Sequence, residues 1–235
     1  MKRGILVALA LVVALLVLLP LRIAFDMAGL GERGVSARAI EGSIWSGTVR
    51  DLRIGRLSLG DLDAGLSPGG LLRGEWAMAM TRASDAPGQA PLSFDLASSG
   101  DSIAMRRASG DIATADLFAP LPLRSVSLDG VDIAFTGQRC AQASGAVRVN
   151  IEQSLFGLTL QRGLSGNLRC DGGDLLVPLK GQSGLEQMDI RIAGTGRYTA
   201  DFTLGGLAAS AGTALSALGF RQQGEAMTIR INGRF

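Results

Sequence analysis

The stretch Val126-Ser-Leu-Asp-Gly-Val-Asp-Ile-Ala-Phe135 alternates apolar and polar residues around a central Asp-Gly. Successive side chains of a β-strand point to opposite faces, so an alternation of period two marks a strand with one buried and one wet face. The same signature recurs at Leu57 and Leu59, Val147-Val149-Ile151, Leu158 and Leu160, Ile190 and Ile192, and Met227-Ile229-Ile231. Turn formers punctuate the runs, as in Ser99-Gly-Asp101, Cys170-Asp-Gly-Gly-Asp174 and Gly194-Thr-Gly196. Short strands in this rhythm predict an antiparallel all-β domain: a curved sheet, half-barrel, barrel or sandwich. Two segments depart from it. Leu117-Phe118 ahead of Pro120 and Pro122 predicts one helical turn stopped by proline. The alanine-rich Leu207–Gly219 segment predicts a short helix near the C-terminus, capped by Gly219 and lying on one end of the sheet.

Ahead of the β pattern, Lys2 and Arg3 precede an apolar run from Gly4 to Leu21, and Ile23-Ala-Phe25 extends it past Arg22. About eighteen apolar residues is the shortest comfortable membrane span. A cleaved signal peptide would show a shorter apolar region and a small-residue cleavage site, whereas Phe25, Asp26 and Met27 interrupt the candidate here. Residues 1–25 are therefore read as an uncleaved signal anchor, with the membrane held through residues 4–25. The flanking Lys2 and Arg3 keep the N-terminus cytoplasmic. In a Gram-negative cell that topology places residues 26–235, the β-domain, in the periplasm. The periplasm is oxidising, so Cys140 and Cys170 are expected to form a disulfide worth roughly 3 to 3.5 kcal/mol by loop closure; two reduced, buried thiols are the alternative. The strand ending at Phe235 resembles the last strand of an outer-membrane barrel, but an inner-membrane anchor favours an ordinary terminal strand.

Composition narrows the function. The 235 residues carry a net charge of +2, 47% hydrophobic and 5% aromatic residues, and 33 glycines, which suits one turn-rich β-domain. A nucleic-acid surface would need a basic stripe with interleaved aromatics, and the Arg106-Arg107 pair stands alone. The chain contains no histidine, which removes His-based general bases, Ser-His-Asp or Cys-His sites and His metal sites. Asp61, Asp63 and Glu75, and the pair Asp171 and Asp174, are the carboxylates an enzyme could use. Carboxylates near turns more often accept backbone hydrogen bonds, and a glycosidase cleft would need aromatic walls. Asp171-Gly-Gly-Asp174 is likewise read as a turn rather than a Ca²⁺ loop. No catalytic, cofactor-binding or metal-binding residue is assigned.

Glu41-Gly-Ser-Ile-Trp-Ser-Gly-Thr-Val-Arg50 sets a tryptophan between two glycines. Gly42 and Gly47 suit a tight bend with close backbone approach, and Trp45 is expected to pack in the core. This stretch, Gly42-Ser-Ile-Trp45-Ser-Gly47, also carries a resemblance. It is followed by Leu57-x-Leu59-Gly60-x-Leu62-x-x-x-Leu66-x-Pro68-x-x-Leu71-Leu72-x-Gly74. Further on come Leu164-x-Gly166-x-Leu168-x-Cys170, Gly194-x-Gly196-x-Tyr198 and Ala214-Leu215-x-x-Leu218-Gly219-Phe220. In this order the chain resembles the type II secretion system protein N family. One position departs: Asp63 stands where that pattern places a second tryptophan, and Trp76 is the other tryptophan of this chain.

The resemblance implies an accessory inner-membrane component of the apparatus that exports folded proteins, with no catalytic residues to carry over. Its partners would be other secretion components, recruited through exposed strand edges by β-augmentation or through Gly42, Trp45, Gly47 and Pro68. The alternative is a periplasmic lipid-binding or lipid-transfer protein, whose curved sheet holds phospholipid in an apolar groove.

Overall fold

The computed structural model describes residues 18–27, 34–72, 74–82, 90–114, 123–151, 163–206, 212, 215–217 and 219–234. The first described helix, α1 (Leu21–Met27), leads to β1 (Val35–Ser36), β2 (Ala39–Ser43), β3 (Ser46–Ile54) and β4 (Leu57–Leu66). A short helix α2 (Pro68–Leu72) precedes β5 (Trp76–Arg82), β6 (Leu92–Ser99), β7 (Ser102–Ala113), β8 (Leu123–Thr136) and β9 (Arg139–Ile151). Then follow β10 (Leu164–Asn167), β11 (Arg169–Asp171), β12 (Asp174–Lys180), β13 (Glu186–Ile192), β14 (Arg197–Leu204), β15 (Arg221–Gln223) and β16 (Ala226–Arg234). The predicted all-β domain is therefore present, and it is one sheet in which most strands pair antiparallel with their chain neighbours. β1 and β2 both pair with β3, β10 and β11 both pair with β12, and β16 inserts between β14 and β15.

The anchor segment up to Val17, Leu158 and Leu160, the predicted helical turn at Leu117-Phe118, most of Leu207–Gly219 and Phe235 lie outside the described residues. Among the described residues no helix is long and apolar enough to cross a membrane. What is described of the C-terminal helix ends as predicted. Gly219 adopts φ +93°, its N–H donates to Ser216 O at 3.1 Å, and Phe220 N–H donates to Leu215 O at 3.1 Å. These are the two bonds of a Schellman cap, with Leu215 and Phe220 both buried beneath it. Phe220 meets Phe202 of β14 edge to face, with ring centroids 6.2 Å apart.

Two-residue turns make most of the hairpins. At Gly172-Gly173 both residues have positive φ, 64° and 93°, the conformation that lets a two-residue turn follow the twist of its strands. The period-two pattern translates into burial as expected on β4, where Leu59, Leu62, Ala64 and Leu66 are buried while Asp61 and Asp63 face water.

Among the described residues no second sheet lies behind this one, yet its inner face is buried: Val131, Leu179, Met188 and Ala200 have no exposed surface. The sheet achieves this by curling. Two bulges increase the bend, one between Val49 and Leu52 on β3 and one between Met105 and Ala108 on β7. Each holds a non-glycine residue at positive φ, Asp51 at 50° and Arg107 at 52°. Each also uses the same fixing. The Asp51 N–H donates to Asp61 Oδ1 of β4 at 2.7 Å, and the Arg107 N–H donates to Asp132 Oδ1 of β8 at 3.1 Å. A carboxylate on the neighbouring strand thus takes the backbone donor that the bulge removes from the ladder.

The curl is held by contacts between strands that do not pair. Arg82, at the end of β5, is buried with 8% exposure and donates to three backbone carbonyls. Its Nε reaches Ala90 O at 2.6 Å, one terminal nitrogen reaches Leu59 O of β4 at 2.6 Å, and the other reaches Asp111 O of β7 at 2.7 Å. Strands β4 and β7 lie on either side of the β5–β6 pair, so one guanidinium joins them where that pair ends. Burial lowers the Arg82 pKa, and the nearby Asp111 carboxylate partly offsets this. Farther along, Gly194 before β14 lies against Gln138 in the β8–β9 turn; a Cβ at Gly194 would fall 2.5 Å from Gln138 O.

The disulfide closes a different gap. β9 pairs with β10 from Val149 to Ala146, and the ladder then stops because β11 pairs with β12 alone. There Cys140 of β9 and Cys170 of β11 are bonded, with Cα atoms 5.5 Å apart and a sequence separation of 30. The expected pairing is the one present. It stands where the β9–β10 ladder has ended, beside a single main-chain bond from Cys140 N–H to Gly173 O at 2.7 Å.

Two outcomes are expected in urea unfolding. Arg82→Met leaves three carbonyls without their donor and lowers stability by about 3 kcal/mol, and Arg82→Lys recovers little because an ammonium cannot span them. The double variant Cys140→Ser with Cys170→Ser loses about 3 kcal/mol with an unchanged native circular dichroism spectrum.

Candidate functional site

The tryptophan stretch forms the β2–β3 hairpin, with Ile44 and Trp45 as its two turn residues between the partners Ser43 and Ser46. Gly42 and Gly47 are register partners across it. A Cβ at Gly42, where φ is +86°, would lie 2.6 Å from Ser46 O; a Cβ at Gly47 would lie 2.5 Å from Glu41 O. Both glycines are required by close approach, as their spacing predicts. The expected core position of Trp45 is corrected. A two-residue turn points only one of its side chains inward, and Ile44 takes that place while Trp45 remains half-buried.

The hairpin does more than turn the chain: it receives the end of the N-terminal apolar run. The Ile44 N–H donates to Leu19 O at 3.0 Å, and Pro20 forms a bridge with Ser43. Leu21 is buried, and its Cδ2 would be 2.8 Å from a Cβ on Gly47. Packing of the β-domain therefore reaches back to Leu21. On its other side the hairpin meets β4. Leu66 N–H donates to Ile44 O at 2.7 Å, and a Cβ at Gly65 would stand 2.8 Å from Trp45 O. Neither Leu21, Ile44 nor Gly65 stands out in the sequence pattern, since what selects them is contact between separate segments.

Beside Trp45 lies an open trough of about 460 Å³ on the outer face of the sheet. Glu41, Thr48, Asp63 and Thr81 form a cross-strand row along it, and Gly65 and Ala79 give it a low floor. Its carboxylates are engaged: Glu41 with Arg50 at 3.4 Å, and Asp63 with the Thr48 hydroxyl at 3.0 Å. Asp63, where the family pattern would place a tryptophan, thus faces solvent on β4. The trough can accept a small side chain or an extended backbone, and it assembles no nucleophile with a base.

The other candidate carboxylates have structural partners too. Asp61 holds the β3 bulge, Glu75 pairs with Arg106 at 2.6 Å, and Asp171 pairs with Arg191 at 2.7 Å. Asp171 and Asp174 face each other across the Gly-Gly turn. Among the described residues no group of three or more His, Cys, Asp or Glu could hold a metal ion. Pro68 begins α2, where a missing N–H costs no helical bond, and it lies apart from the trough lining. Arg82 is the residue that sequence reading misses. Its signal is its parity: it follows Trp76, Met78 and Met80 on one face of β5, where a charged residue must find internal partners.

The sheet also has two ends. Along β2 the N-terminal end is partly occupied by Leu19–Leu21 and α1. At the other end β15 covers β16 only from Ala226 to Thr228, whereas β14 pairs with it from Met227 to Arg234. Among the described residues no strand pairs with Ile229–Arg234 on the side away from β14.

A curled antiparallel sheet, joined across its gaps by a disulfide and a buried arginine, with Asp61 on a bulge N–H and Glu75 and Asp171 on arginines, defines a β-rich class of protein with open surfaces and edges. The chain belongs to the type II secretion system protein N family, whose model (type II secretion system, T2SS, protein N) matches residues 33–230. The match takes in the hairpin, the trough and both cysteines, and it begins after α1. No curated protein and no solved structure matches the chain.

Gly47→Ala is expected to lower stability by more than about 1 kcal/mol, because the methyl group meets both the Glu41 carbonyl and Leu21. The measurement is limited proteolysis: cleavage between Leu18 and Met27 should accelerate before the β-domain itself is cut.

Proposed function

We propose that this protein is an accessory, non-catalytic component of the type II secretion system, anchored in the inner membrane by its N-terminal apolar run with its β-domain in the periplasm. The family match over residues 33–230 carries this reading. Supporting the compartment are the Cys140–Cys170 disulfide, which suits an oxidising environment, and Lys2 and Arg3 ahead of the apolar run, which favour a cytoplasmic N-terminus. The open side of β16 supports strand addition as the mode by which another secretion component is held, because unpaired backbone groups there accept a further antiparallel strand.

The lipid-carrying alternative has less support. A groove built to hold an acyl chain presents an apolar wall to its ligand, whereas the inner face at Val131, Leu179, Met188 and Ala200 is covered by protein. The filled interior favours a scaffold.

Deleting the gene is expected to leave exported enzymes in the periplasm, and the wild-type chain is expected to restore their release. A photocrosslinking residue at Asn232 should capture another secretion component in the cell, and the same residue at Ser183, in the distant β12–β13 turn, should not. Unchanged export in the deletion strain would sink an essential role. Equal capture at both positions would sink the β16 edge as the contact.

A further inference from the structure

We infer that one edge of the β-domain lies on the bilayer surface, with Leu71, Leu72, Trp76 and Ile103 dipping among the lipid headgroups and upper acyl chains. This rests on the anchor reading and extends it from the N-terminal run to the folded domain.

The geometry begins at the hairpin. Leu19, Pro20 and Leu21 are bound to the β2–β3 turn, so the apolar run joins the domain with no linker between them. With Leu19–Leu21 seated on the hairpin, the domain begins directly where the apolar run ends, so whatever holds that run at a bilayer holds this edge of the domain close to it.

Strand register places the hairpin, α2, the start of β5, the β6–β7 turn and the β8–β9 turn along one edge of the sheet. Leu66 beside Ile44 fixes α2 there, and the Trp76–Ser98–Ile103 row follows two residues beyond the Leu66–Met78 pair. On this edge Leu72 is 90% exposed, Leu71 44%, Ile103 56% and Trp76 38%, with Leu18 at 73% just before the docked segment. Trp76 and Ile103 have the same parity as the inner-face residues Met78 and Met105, so they are core-type side chains left open at the mouth of the curl. Ile23 of α1 is also exposed, and at the opposite edge the described residues expose Leu185. Exposed Arg139, Arg197 and Arg234 stand farther along the same edge as the apolar group, with Asp101 and Asp171 as acidic neighbours. An apolar cluster beside exposed guanidinium groups, next to the exit of an apolar chain, matches the headgroup region of a bilayer.

The test uses the full chain reconstituted in bilayers of phosphatidylethanolamine and phosphatidylglycerol. The chain has only two tryptophans, so Trp45→Phe leaves Trp76 as the sole reporter. Lipid brominated high on its acyl chains is expected to quench most of the Trp76 emission, while iodide in the aqueous phase quenches little of it. Adding Leu71→Glu and Leu72→Glu should reverse that order. In a control with both tryptophans replaced by Phe and Leu185→Trp added, iodide should quench and brominated lipid should not. Trp76 quenched by iodide and untouched by brominated lipid, in a chain that resists alkaline carbonate extraction, overturns the docked edge and leaves the anchor standing. A chain that carbonate extracts overturns the anchor and this proposal together.

Discussion

Most strands of this protein have one apolar face, and the described residues form one sheet. Burying that face requires the sheet to bend onto itself, and bending breaks the regular ladder at defined points. Several of these breaks are repaired by side chains rather than by ladder hydrogen bonds. Asp61 and Asp132 take the backbone N–H groups released at the two bulges. Arg82 supplies three donors where β5 and β6 end and β4 and β7 approach. The disulfide joins β9 to β11 where β10 gives way. Polar chemistry in this chain is chiefly what closing a single sheet demands.

That demand bears on function. Asp61 and Asp132 are fixed on bulge N–H groups, and Glu75 and Asp171 are paired with Arg106 and Arg191. Asp61, Asp63, Glu75 and Asp171, candidates by residue type, each have a partner within the fold. What is left for recognition is shape: a polar trough beside Trp45, an uncovered strand edge at β16, and an apolar edge around α2. Such features suit a component that holds others in place, in keeping with a family of secretion-system parts.

The tryptophan hairpin ties the two halves of the chain together. Its glycines bring two backbones close enough for Leu21 to seat against Gly47, and its turn residue Ile44 binds Leu19 on one side and Leu66 on the other. An apolar segment that enters a domain through such a seat cannot swing freely. The orientation of the sheet then follows from the direction in which the segment leaves it.

Alternation of apolar residues determined the β class, because a strand's side-chain period is a local property that any eight residues display. Glycine pairs such as Gly172-Gly173 fixed hairpins for the same reason: positive φ is a demand on single residues. The two cysteines could be paired once their compartment was inferred, there being no third to compete. The order of motifs from Gly42 to Phe220 was enough to suggest the family. Tertiary structure alone decided that Ile44 rather than Trp45 enters the core, since a turn's inward side is set by what packs beneath it. It alone made Arg82 a clasp, because the three carbonyls it binds come from segments up to 29 residues away. It alone gathered Leu71, Leu72, Trp76 and Ile103 onto one edge. Their common exposure depends on register across four strands, and register is a long-range property that no single stretch of sequence contains.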